Sequence, residues 1–242
     1  MAKLSQDGVL FRELVLSAFD AYSLEFDGPS QGGAIGRIHE RVAYQYPRID
    51  RTTLEKFLPG GERLQSDTKQ EQRAFIYLKP PDRGRPSLPI LNVKCDFGGE
   101  SPDVGIRLAI FLLDEGEQPV SIGFRFETPH GKGEHDYHHA QPISSFFNDG
   151  AHILHCPKWL PDQLPAFPLL AHTPVELLGC MLGSLYGPSG LRHVMEAGRH
   201  NSLIQHSVGE LMKRLMRPEV VEEKERQVGG KGPKHRPKGR RG

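Results

Sequence analysis

The sequence contains little cysteine: there are three in 242 residues, at Cys95, Cys156 and Cys180. They are far apart, odd in number and without C-x-x-C spacing, so they form neither a disulfide framework nor a cysteine-based zinc site. The first residues also lack the charged and apolar pattern of a secretory leader. We therefore expect free thiols and a cytoplasmic location.

Long apolar runs and strong catalytic motifs are missing as well. No stretch approaches the ~20 apolar residues that a membrane-spanning helix needs, which predicts a protein without a membrane contact. The sequence has no H-E-x-x-H, no zinc-finger spacing and no G-x-x-x-x-G-K-[ST] phosphate loop. Cys156 follows His155 directly, but a catalytic base normally comes from a separate element. The sequence therefore assigns no catalytic residue.

What is present predicts an α+β fold with N-terminal helices, a central antiparallel β-meander, a C-terminal helical layer and a disordered basic tail. The hydrophobic pattern changes its period along the chain, and we interpret residues 1–227 as one domain. Its successive segments are helical 1–60, mainly β 73–142, proline-rich 157–173 and helical 174–226. The tail covers residues 228–242.

Capping signals predict where two of the helices begin. Thr52 with Glu55, and Thr173 with Glu176, have the spacing of a capping box, in which each side chain bonds to the other residue's backbone. Pro174 suits the first position of the second helix. That helix should end at Gly187-Pro188, because glycine commonly ends a helix and proline interrupts one.

Alternating patterns predict strands in the middle of the chain. The candidates are 74–78, 88–97, 106–113 and 120–126. In the last of them, apolar residues alternate with Ser121, Gly123, Arg125 and Glu127. This alternation predicts an antiparallel strand with one face in the core and the other in solvent.

Histidines are concentrated in one part of the chain, since seven of the twelve lie within residues 130–172. They are His130, His135, His138, His139, His152, His155 and His172. If residues 128–133 form a tight turn, the next strand pairs with the strand at 120–126. Phe124 then lies opposite Tyr137, Phe126 opposite His135, and Arg125 opposite Asp136 as a cross-strand charge pair.

A divalent transition metal is one interpretation of this cluster, with Asp136, His138, His135 and His139 as candidate ligands. In the strand above, His135 and His139 share a face but lie ~13 Å apart. Asp136 and His138 lie together on the other face and need a third ligand. In a helix all three histidines would share a face. A hydrogen-bonded strand without metal, or a polar binding groove, are the alternatives.

The tail is strongly basic, with six lysines and arginines and no acid between residues 228 and 242. These residues are Lys231, Lys234, Arg236, Lys238, Arg240 and Arg241. A glycine- and proline-rich segment with these charges and almost no apolar residues has a disordered composition. We expect it to bind nucleic acid non-specifically by neutralising phosphates, or else to serve only as a solubilising end.

Two functions from different classes follow from these observations. The first is a non-catalytic accessory protein that docks a protein or nucleic-acid partner and uses the tail for electrostatic contact. The missing catalytic motifs, the tail and an arginine- and proline-rich loop at 80–86 support it. The alternative is a metal-dependent hydrolase that uses Asp136 and His138 with a ligand from residues 152–172.

Overall fold

The computed structural model describes residues 5–26, 33–60, 75–82, 85–97, 102–129, 137–147, 152–156, 166–169, 171–197, 199 and 201–216. These residues form five helices and six strands, which confirms the predicted α+β class. The helices are α1 (Gln6–Tyr22), α2 (Ala34–Val42), α3 (Arg51–Phe57), α4 (Pro174–Ala197) and α5 (Ser202–Met216). The strands are β1 (Phe75–Tyr77), β2 (Leu88–Asp96), β3 (Asp103–Leu113), β4 (Pro119–Glu127), β5 (His139–Ile143) and β6 (Phe167–Pro168). Among the described residues, no helix is long and apolar enough to cross a membrane.

The strands form one antiparallel sheet in which each strand pairs with the next along the chain, so its order is β1-β2-β3-β4-β5-β6. This is the predicted meander. The strand β6 was not predicted, because it consists of two residues inside the proline-rich segment. It is held beside β5, and the Leu169 N–H donates to the His138 carbonyl at 2.9 Å.

Both faces of the sheet are covered. On the first face, α1, α3, α4 and α5 form the larger core with strand residues such as Ile106 and Phe126. On the second face, α2 and the segments 143–147 and 152–156 pack around Tyr46, Phe75 and Phe111.

The strand β4 is therefore not half-buried, and that prediction was wrong. Ser121 is buried, and its N–H donates to the His155 carbonyl at 2.9 Å. Leu154 packs directly over Gly123, where an added Cβ would lie 2.3 Å from its Cδ1 atom. The small side chains of Ser121 and Gly123 do not indicate a solvent face, because they leave room for another chain segment to pack there.

The cap of α4 at Thr173 is confirmed, but the Glu176 side chain bonds to the backbone of His172 and not of Thr173, and the capping signal of α3 is not confirmed. At α4, the Glu176 N–H donates to Thr173 Oγ1 at 3.2 Å, and Glu176 Oε2 accepts from the His172 N–H at 2.7 Å. Gly187, with a φ of 69°, interrupts α4 where its end was predicted, and the chain continues helically to Ala197. The cap of α3 is Asp50, which accepts from the Thr53 N–H at 2.7 Å.

The pairing between β4 and β5 differs from the predicted register by five residues. Phe124 lies opposite Pro142, Arg125 opposite Gln141 and Phe126 opposite Ala140. The connection between the strands runs from residue 128 to residue 138, so it is not a tight turn. An odd shift moves every side chain to the other face of the sheet. His139 consequently lies on the second face with Arg125.

Candidate functional site

The second face of the sheet changes from apolar to polar along its strands. The apolar half contains the register row of Ile90, Ala109, Gly123 and Ile143. Two residues further along, the next row is Asn92, Arg107, Arg125 and Gln141. We call these four residues the arginine row. The row beyond it is Lys94, Gly105, Glu127 and His139.

Arg125 is held by polar neighbours on its own and the adjacent strand. Its Nε atom lies 2.9 Å from Glu127 Oε2, and its Nη2 atom donates to Gln141 Oε1 at 3.2 Å. The Glu127 side chain is only 9% exposed and also lies 3.6 Å from His139 Nε2. The positive charge of Arg125 is therefore balanced by a buried carboxylate.

Among the described residues, Arg107 has no such ion pair. Within the described part of the chain it forms no ion pair and no hydrogen bond, and its guanidinium carbon lies 5.4 Å from the centre of the Phe147 ring. Burial lowers the pKa of Arg107 below its ordinary value; Glu127 and Asp103 oppose this shift, and Arg125 adds to it. Arginine remains charged in proteins. The site thus holds a partly buried positive charge directly opposite another one.

Such an arrangement is unfavourable in the protein alone. Like charges directly opposite on neighbouring strands destabilise a sheet, and a partly buried cation without a partner loses hydration. The nearby acid Asp103 forms an ion pair with Lys94, at 3.2 Å from its Nζ atom, so Lys94 balances the charge of Asp103. A planar guanidinium group binds carboxylate and phosphate oxygens well. The geometry therefore suits an anionic group placed between Arg107 and Arg125.

The candidate metal ligands are not brought together where the structure describes them. His139 points to the second face beside Glu127, whereas His138 lies towards the first face, where Glu176 and His172 act on it electrostatically. His135 and Asp136 lie outside the described residues. Among the residues that are described, no three histidine, cysteine or acidic side chains are arranged to hold a metal ion.

His138 is a buried histidine with an unsatisfied nitrogen. It is 9% exposed, and its Nε2 atom has no hydrogen-bond partner in the described structure. Burial lowers the pKa of His138, Glu176 opposes this shift, and His172 and His139 add to it. The folded protein therefore favours the neutral ring.

Acid should destabilise the protein partly through this residue. Below a pH of about 6.5 the unfolded chain takes up a proton at His138 that the folded protein resists, so the free energy of unfolding falls. We expect His138→Gln to lose less stability than the wild type between about pH 7.5 and 5.5. Urea denaturation at both pH values measures this, with exposed His206→Gln as the control. Equal losses in wild type and His138→Gln would contradict the assignment.

Sequence reasoning included Arg125 but missed Arg107, Asn92 and Gln141. A signal for Arg107 was present, because it is the one charged residue in the apolar stretch 106–113. The six tail residues from Lys231 to Arg241 lie outside the described residues, as do parts of the loop at 80–86. No protein-family model, curated protein or solved structure matches this chain, so its function is inferred from the arrangement of its own residues.

Proposed function

We propose that this protein is a non-catalytic binding protein that docks nucleic acid, with the arginine row as its phosphate-binding site. The observation that carries the proposal is the charged, partly buried side chain of Arg107, which lies opposite Arg125 and has no ion pair among the described residues. A phosphate group contacted by both guanidinium groups supplies the missing negative charge.

Gln141 supports a phosphate ligand, because it lies partly exposed at the β5 end of the row and amide groups contact phosphates without adding charge. Asn92, at the other end, is fully buried and does not reach a ligand. The three neighbouring strands that carry Arg107, Arg125 and Gln141 span ~10 Å at their usual spacing, which accommodates more than one phosphate along a strand of nucleic acid. Contacts to phosphate position a nucleic acid without reading its bases. We therefore expect binding with little sequence preference.

The basic tail adds a second, looser contact in this proposal. Its six positive charges and its glycines and prolines suit electrostatic binding that releases counterions and weakens with salt. In the arginine row, Arg107, Arg125 and Gln141 are partly buried and hold a phosphate in a fixed geometry. The two parts should therefore differ in their salt dependence.

Deleting residues 228–242 should weaken binding to labelled oligo(dT) and make it less sensitive to salt. The slope of log affinity against log salt should fall by ~0.7 for each phosphate contact that is lost. Fluorescence anisotropy at several salt concentrations measures the slope. A tail of the same length with the six lysines and arginines replaced by glutamine is the matched control, and it should behave like the deletion. An unchanged slope would remove the tail from the proposal.

A ligand control tests the phosphate itself. An oligonucleotide with an uncharged methylphosphonate backbone keeps the bases and sugars but lacks the negative charges, so it should not bind. If the phosphate and methylphosphonate oligonucleotides bind equally, the site recognises a group other than the charged phosphate. If neither binds and an acidic peptide does, the partner is a protein and the nucleic-acid proposal is wrong.

A further inference from the structure

A cavity of about 710 Å³ lies beside α1 and α4, which cover the first face of the sheet, whereas the arginine row lies on the second face. Its walls are the end of α1, the segment Lys79–Asp82 that follows β1, and the kink of α4 around Gly187. A volume of this size is typical of sites for small molecules. The proline-rich loop, which the proposed function does not use, thus forms one wall of a pocket.

Two tyrosines make the inner wall rigid. The rings of Tyr22 and Tyr186 stack with their centres 3.9 Å apart and their planes at 6°. Tyr22 Oη donates to the Gly190 carbonyl at 3.0 Å, and Tyr186 Oη donates to the Lys79 carbonyl at 2.7 Å. Gly190 is required here, because an added Cβ would lie 2.2 Å from Tyr186 Cβ. The hydrogen bonds to Gly190 and Lys79 therefore fix the two stacked tyrosine rings in place.

Tyr22 also positions His193 at the cavity. Its hydroxyl donates to the Gly190 carbonyl, and His193 Nδ1 lies 3.3 Å from the same hydroxyl. Nε2 of this exposed ring is therefore the nitrogen that is left for a ligand.

The charges around the cavity also favour a donor. Burial, with the carboxylates of Asp82 and Glu196, raises the pKa of Tyr22 to about 12, so both acids act at this wall. Burial also raises the pKa of Tyr186. The Lys79 ammonium group donates a hydrogen bond to the Ala21 carbonyl at 3.1 Å, at the end of α1. This bond does not neutralise it, so one ammonium group and two carboxylates surround the cavity. Asp82 is the acidic residue that lines it.

We propose that this cavity binds a small flat organic cation, whose ring packs on the tyrosine and proline wall while its charged donor group meets Asp82 and His193. Aromatic and proline rings suit a flat apolar body, and the Asp82 carboxylate suits an amidinium or ammonium group. The site is independent of the arginine row, which takes the opposite charge.

Three ligands of one shape test the proposal: benzamidine is cationic, benzamide neutral and benzoate anionic. NMR titration of the full-length protein should give affinities in the order benzamidine, benzamide, benzoate, with shifts at Tyr22, Tyr186 and His193. Asp82→Asn should weaken benzamidine about three- to fivefold, because an exposed ion pair contributes little, and should leave benzamide unchanged. Glu115→Gln, in the exposed turn between β3 and β4, should change nothing. Equal affinities, or no binding up to about 10 mM, would overturn the proposal.

Discussion

Arg107→Met should bind oligo(dT) at least about tenfold more weakly than the wild type, because a charged hydrogen bond to phosphate contributes about 1.5–3 kcal/mol. The same variant should be more stable, by about 0.5 kcal/mol, since it removes a charge that burial disfavours and that lies opposite Arg125. Methionine keeps an apolar contact with the Phe147 ring. Anisotropy measures the first effect and urea denaturation the second. A residue retained only for structure would show the opposite change in stability.

Arg125→Met is the matched control on the neighbouring strand. Arg125 lies 2.9 Å from Glu127, whose side chain is 9% exposed, so the substitution removes an ion-pair partner of a buried carboxylate. We expect the free energy of unfolding to fall by about 2 kcal/mol. The two substitutions should therefore change stability in opposite directions. If both destabilise the protein equally, Arg107 is an ordinary structural residue and the site loses its main support.

Gly123→Ala should lower the free energy of unfolding by about 2 kcal/mol, which is typical of overpacking in a closed core. The added Cβ would lie 2.3 Å from Leu154 Cδ1, 2.9 Å from Ile143 Cγ1 and 3.0 Å from the Ile143 carbonyl oxygen. Leu154 is able to rotate away, but the backbone of β5 is fixed by its pairing. Urea denaturation of the variant measures the loss.

Gly105→Ala is the control for this effect, because it lies on the same face of the sheet. An added Cβ there would lie 3.7 Å from Glu127 Oε1, an ordinary contact. Alanine also restricts the unfolded chain, so we expect no loss of stability and a gain of up to about 0.5 kcal/mol. If Gly123→Ala is equally harmless, the 152–156 segment does not pack on β4 and the second face of the sheet is open.

The sequence predicted which segments form helices and strands better than it predicted which sides of the strands are buried. Local signals were sufficient for α4, where Thr173 and Glu176 cap the start and Gly187 marks the kink. The alternation at 120–126 was correct as a strand but not as a half-buried one, because Ser121 and Gly123 are small enough to be covered. What covers a strand depends on distant segments, and local periodicity contains no information about them.

Only part of the candidate site was accessible to the same reasoning. The β3–β4 hairpin closes through residues 114–118, and aligning the strands about that short turn places Arg107 opposite Arg125. The histidines at 138 and 139 follow an 11-residue connection from 128 to 138, whose length sequence reasoning underestimated. One odd shift in register was enough to reverse their faces. The neutral amides of Asn92 and Gln141 have no motif and emerge only from the pairing.

The most direct test of the phosphate site is an NMR titration that observes the Nε–Hε signals of the arginine side chains while oligo(dT) is added. The Arg107→Met and Arg125→Met spectra assign the two signals. We predict that both shift with the same binding curve, and that the methylphosphonate oligonucleotide leaves them unchanged. Binding of oligo(dT) with the Arg107 signal unmoved would contradict the central claim, since the nucleic acid would then be held elsewhere on the protein.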